Sequence, residues 1–142
     1  MVKYEGLFFD EETEKFIHSI EENRLEFVND RIHCTFQYQP TNEEIFNDIV
    51  GKGYEIEIIG YACDGNNSGF EIKLPDELNK YYLKKDTIPH ITASIKEGAK
   101  SINTKDLNFK KLDNPVKIFG KFGYWIMDED ENEYLSFDKY TY

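Results

Sequence analysis

Two short stretches of this chain, residues 31–38 and 88–95, alternate between apolar and polar side chains, and each carries a histidine followed two positions later by a threonine. In the first, Ile32, Cys34, Phe36 and Tyr38 alternate with Arg31, His33, Thr35 and Gln37. In the second, Ile91, Ala93 and Ile95 alternate with His90, Thr92 and Ser94. A period of two belongs to a β-strand with one face in a core, because successive side chains point to opposite sides of the sheet. Residues i and i+2 then share a face, about 6.5–7 Å apart. Each His therefore lies beside its own Thr, while Cys34 or Ile91 turns into the core.

The rest of the chain supplies the elements around these strands. Residues 3–9 read as a strand. Asp10 can cap the helix after it, with Glu11 and Glu12 in the first turn and an apolar stripe of Phe16, Ile17 and Ile20; the helix is expected to run to about Asn23. Pro40 ends the first His strand. Thr41-x-x-Glu44 reads as a capping box opening a second helix through Ile45, Phe46, Ile49 and Val50, with Gly51 and Gly53 at its stop. Strands follow at 54–63 and 69–74 around a turn at 64–68, then a short helix from Pro75 to about Leu83. Pro115–Met127 and Glu133–Phe137 read as a hairpin with Asp128–Asn132 at its tip, and Gly120 and Gly123 point to a bulge or a close backbone approach. Strands and helices in both halves predict one α+β domain over residues 1–142, with a two-lobed arrangement.

Composition narrows the function. A net charge of −11 works against a grip on duplex DNA or long RNA, yet leaves room for a small anion held by local donors. The apolar runs are too short to span a bilayer, and the opening residues lack the apolar core of a signal peptide, so no membrane partner and a cytoplasmic location are expected. Cys34 and Cys63 are the only cysteines and read as buried thiols rather than a disulfide. Two Cys and three His do not supply metal-ligand spacing, so neither a metal nor another cofactor is expected.

The chemistry rests on the paired motifs. If the two strands converge, two imidazoles and two hydroxyls meet. One neutral imidazole can take a proton from an attacking water or hydroxyl, and the other, protonated, can give one to a leaving oxygen. Thr35 and Thr92 can donate to non-bridging phosphate oxygens. Tyr38, Tyr124 and Trp125 are candidates for stacking on a base, and Ser94 and Lys96 continue the His90 face toward a phosphate. His18, the third histidine, falls beside the helical stripe and reads as a surface residue without a role.

Paired His-x-Thr motifs, with Pro89 before His90 and an opening Leu7-Phe8-Phe9-Asp10 strand leading into a helix, resemble the 2H phosphoesterase superfamily, which includes RNA cyclic phosphodiesterases. The resemblance implies a two-lobed antiparallel sheet with pseudo-two-fold symmetry, one motif strand in each lobe, and metal-independent hydrolysis. It also implies a nucleotide substrate: a 2′,3′-cyclic phosphate on an RNA end, ADP-ribose cyclic phosphate, a 2′-5′ oligoadenylate or a cyclic oligonucleotide. Some viral members destroy nucleotide messengers of host immunity. The acidic surface favours the small ligands in that set. A module that sequesters a nucleotide without cutting it is the alternative, although a binder has no need of two titratable groups. An acidic protein that docks on a basic partner leaves the twin motifs unexplained.

Overall fold

The computed structural model describes residues 1–38, 44–84 and 86–141. Its main element is one antiparallel sheet of eight strands: β1 (Val2–Phe8), β2 (Phe27–Val28), β3 (His33–Tyr38), β4 (Gly53–Cys63), β5 (Asn67–Lys73), β6 (His90–Ile95), β7 (Lys110–Met127) and β8 (Glu133–Ser136). The strands run in the order β2-β6-β5-β4-β7-β1-β3, and β8 pairs with β7. Helix α1 spans Glu11–Ser19 and the single turn α2 spans Asp76–Asn79. The class is α+β. No helix among the described residues is long and apolar enough to cross a membrane.

The two motif strands lie near opposite ends of the strand order, yet β3 and β6 touch. The sheet therefore curls until its ends meet. The buried face holds Leu7, Cys34 and Phe36 from one end and Phe70, Ile72 and Ile91 from the other, in a single core cluster. These are the inward positions of the alternating runs, so burying them turns the His and Thr positions outward, toward the seam. The loop between α2 and β6 ties the seam: Leu83 N–H donates to Phe36 O at 3.0 Å. Cys34 is fully buried there, takes a hydrogen bond from the His90 backbone, and has its thiol pushed up to about 12 by burial.

Several boundaries differ from the sequence reading. Asp10 caps α1 through Thr13 N–H at 2.8 Å as expected, but the helix ends at Ser19, not near Asn23. Glu21 turns inward to accept from Ser68 Oγ at 2.8 Å, which draws the backbone out of the helix. The expected second helix is a 3-10 turn over Glu44–Asp48. Phe46 is fully buried and stacked on Phe122 at 5.4 Å, and Gly51, at φ 82, donates to Phe122 O at 2.8 Å. The sheet thus reclaims the chain after little more than one turn. Pro40 and Thr41, on which the strand end and the capping box rested, lie outside the described residues. The Pro75 helix stops at Asn79, well short of Leu83.

Strand β7 starts at Lys110 rather than Pro115. Its pairing with β4 slips between Ile58 and Gly60, and Pro115 sits in that irregularity, where no ladder N–H is needed. At Gly123 the backbone approach is close: a Cβ would lie 2.9 Å from the Phe137 ring. The two-residue strand β2 was not expected, being too short to carry a pattern.

Candidate active site

The seam between β3 and β6 opens into a cleft of about 240 Å³, lined by His33, Thr35, His90 and Thr92. The two histidines are held in the same way. His33 Nδ1 lies 2.8 Å from Arg31 O, and His90 Nδ1 lies 2.7 Å from Ile88 O. A carbonyl oxygen only accepts, so each Nδ1 carries its hydrogen and each Nε2 keeps a free lone pair. In both motifs the acceptor is the carbonyl two residues before the histidine. The backbone leading into each motif strand thus fixes the tautomer of the strand's first residue.

Both rings are half-buried, and both are pushed down from 6.5 to about 4. Burial is the main cause for each, because it disfavours the imidazolium. The backbone bond at Nδ1 opposes it. The Arg31 charge, then Lys84 and His90, add to the depression at His33, and Lys84 and Lys105 add to it at His90. Asp106 works the other way at His90. Both imidazoles are therefore neutral at pH 7.

The threonines differ. Thr35 is buried next to Gly6 of β1, its register partner, where a Cβ would lie 2.1 Å from Cys34 O. Glycine there lets β1 and β3 close up at the motif. Thr92 Oγ1 lies 2.8 Å from Thr104 Oγ1 and 3.3 Å from Ser101 O. Thr104 is fully buried and also accepts from Asn67 Nδ2 at 3.0 Å, so it anchors the Thr92 hydroxyl.

Beyond the motifs, Tyr4, Arg31, Tyr38 and Lys84 form one wall of the cleft, and Asn29, Ser101 and Ile102 the other parts. No carboxylate is among these lining residues, although the chain holds 28 acidic residues against 17 basic ones. The cleft is therefore a local cationic spot on an acidic molecule. Lys84 is half-buried, its Nζ 5.3 Å from the Tyr38 ring, with its pKa lowered mainly by burial. Among the described residues no group of three or more His, Cys, Asp or Glu side chains is arranged to hold a metal ion.

The structure brings together the four motif residues and Tyr38, which is 40% exposed at the cleft rim. It removes the other expected contacts. Tyr124 is fully buried and donates its hydroxyl to Asn47 Oδ1 at 2.6 Å, so it is a core residue. Trp125 is buried as well, with Nε1 donating to Glu133 at 2.9 Å; it reaches the site only by carrying the Arg31 guanidinium, 3.7 Å from its ring centroid. Ser94 is fully buried, donating to Glu21 Oε2 and accepting from Leu25 N–H at 2.9 Å. The chain after α1 roofs that end of β6. Lys96 lines a separate depression with Asn66 and Asn67.

His18 is not a surface residue. It is mostly covered, and its Nε2 lies 2.8 Å from Asn29 O. Asn29 in turn donates to Thr92 O at 2.8 Å, so His18 braces the loop beside the second motif. Tyr4, Asn29, Arg31 and Lys84 are not among the site residues expected from the sequence. Only Arg31 carried a signal, as the polar residue two positions before His33 on the same face.

Neither a family model nor a curated protein matches this chain.

Proposed function

We propose that this protein is a metal-independent phosphodiesterase that hydrolyses a small nucleotide phosphodiester in the β3–β6 cleft. One observation carries the reading: two His-x-Thr strands from opposite ends of one sheet line a single cleft, and their rings are held in the same tautomer by equivalent backbone bonds. The strand order supports the symmetric, two-lobed description that the resemblance implies. Reading outward from the central β4–β7 pair, β7-β1-β3 on one side matches β4-β5-β6 on the other, every pairing is antiparallel, and each half ends in a motif strand with β2 appended beyond β6.

The step balances with water as the second reactant. The oxygen of water attacks phosphorus as one imidazole Nε2 takes its proton. The bond from phosphorus to the leaving oxygen breaks, and that oxygen takes a proton from the other imidazolium. Thr35 and Lys84 face the charge on the non-bridging oxygens, and Thr92, whose hydroxyl donates to Thr104 at rest, turns that proton to them when the phosphate binds. Tyr38 at the rim offers a ring to a base. The lining suits a small substrate, since the acidic exterior repels a long polyanion.

Incubating the protein with a panel of cyclic and 2′-5′-linked nucleotides in EDTA, and following products by chromatography, tests the proposal. Hydrolysis is the expected result. Tight binding with every ligand recovered intact would replace the enzyme by a sequestering module.

A further inference from the structure

The cleft holds a second set of donors that the two-histidine chemistry does not use. Tyr4 is 7% exposed, and among the described residues its buried hydroxyl has only a loose contact with the Arg31 guanidinium, short of a well-formed hydrogen bond. A buried hydroxyl so weakly paired is costly, and such groups are rare in folded proteins unless a ligand or water completes them. The Arg31 guanidinium lies beside this hydroxyl. No carboxylate among the described residues forms an ion pair with Arg31. Glu133, the acid whose field it feels, is already engaged by Trp125 Nε1 at 2.9 Å and Lys3 Nζ at 3.3 Å.

Both donors are held in place. Arg31 is stacked on Trp125 at 3.7 Å, and its backbone N–H donates to Asn29 Oδ1 at 3.1 Å. The Tyr4 ring lies between the rings of His33, at 4.7 Å, and Trp125, at 6.2 Å. Arg31 comes two residues before His33, at the entry to β3, and its carbonyl oxygen lies 2.8 Å from His33 Nδ1, so the guanidinium belongs to the residue next to that ring. A planar guanidinium next to a hydroxyl donor is a receptor for an oxyanion with several acceptor oxygens. Its place beside His33, rather than between the histidines, separates it from the scissile phosphorus.

We propose that Arg31 and Tyr4 form a subsite for a second phosphate of the substrate, one nucleotide step from the phosphodiester held between His33 and His90. This rests on reading the cleft as a phosphodiesterase site. The preferred substrate then carries at least two phosphates, and a nucleoside with one cyclic phosphate is a minimal, poor one.

The test compares adenosine 2′,3′-cyclic phosphate with the same compound phosphorylated at the 5′ position. Wild-type kcat/KM is expected to favour the second by tenfold or more, as one charged hydrogen-bonded contact warrants. In Arg31→Gln the ratio is expected to collapse to about one, and in Tyr4→Phe, which keeps the ring against His33, to fall part of the way. A wild-type ratio near one, or a ratio unchanged in Arg31→Gln, overturns the subsite while leaving the phosphodiesterase reading intact. A second readout does not require turnover. Trp125 is the only tryptophan, so its fluorescence should report pyrophosphate binding in wild type, and that binding should weaken tenfold or more in Arg31→Gln. Pyrophosphate binding that depends on Arg31 without hydrolysis of any nucleotide would support the subsite and sink the enzyme. Binding indifferent to Arg31 would sink the subsite.

Discussion

Loading the cleft with an anion should return a proton to one histidine. The protein's own surroundings push both imidazoles down to about 4, so by themselves neither can serve as a general acid near neutral pH. A phosphate changes this. At about 4 Å, with an effective dielectric near 20, a single negative charge stabilises an imidazolium by about 4 kcal/mol. That is about 3 pKa units, which lifts one ring from about 4 to about 7. The second ring does not follow as far, because the positive charge of one imidazole depresses the other. The substrate itself would split two similar histidines into an acid and a base. Sulfate is a suitable probe because it stays fully ionised over the range. Proton–carbon correlation NMR of the imidazole C–H groups, titrated with and without saturating sulfate and assigned with His33→Gln and His90→Gln, reads both values directly. One of the two should rise by about 3 units. If neither rises by even about one unit in saturating sulfate, the electrostatic argument is wrong, since an anion at the catalytic position cannot leave both rings unaffected.

Three further outcomes are expected. The folded-state pKa of each motif histidine lies below its unfolded value, so the unfolded chain binds more protons and stability falls as pH drops from about 6.5 toward about 4; with the partial exposure of the rings discounted, each contributes about 2 kcal/mol over that window, and chemical denaturation at several pH values should show a flatter profile in His33→Gln or His90→Gln than in wild type. Lys84→Met removes a charge that depresses both rings, so the acid limb of the kcat/KM profile should move to higher pH while the rate falls about 10–100-fold from loss of a cation near the phosphate; an unshifted limb would show that Lys84 does not act on the histidines. Gly6→Ala places a Cβ 2.1 Å from Cys34 O, and prying β1 from β3 should cost about 2–4 kcal/mol in thermal or chemical unfolding; wild-type stability would mean that the two strands are packed less closely than described.

The motif strands were legible because Cys34, Phe36, Ile91 and Ala93 are buried on one face of each, which writes a period of two into the sequence, although Thr35 and Ser94 are covered as well and Tyr38 is exposed. The capping Asp10 and the long hairpin were legible for the same local reasons. What failed depends on contacts between distant segments. His90, Thr92 and Ser94 look alike in sequence, yet Ser94 is sealed by Glu21 and Leu25, which are about 70 residues away in the chain. Tyr124 and Trp125 are equally plausible as stacking rings until the packing of β7 places one in the core and the other behind Arg31. Tyr4 and Lys84 have no motif at all: they reach the cleft through the pairing of β1 with β3 and the Leu83–Phe36 bond. The expected second helix failed because pattern alone does not weigh helix length against the pull of the sheet at Gly51.

The most direct measurement of the central claim is single-turnover hydrolysis of one phosphodiester, in EDTA, by wild type, His33→Ala, His90→Ala and the double variant. If the two rings serve one phosphorus as acid and base, each single variant loses about 10²–10⁴-fold and the double variant loses little more than the worse single one, because groups acting as a unit are not additive. A single variant that keeps the wild-type rate, or a wild-type activity that disappears in EDTA and returns with a divalent ion, would contradict the account.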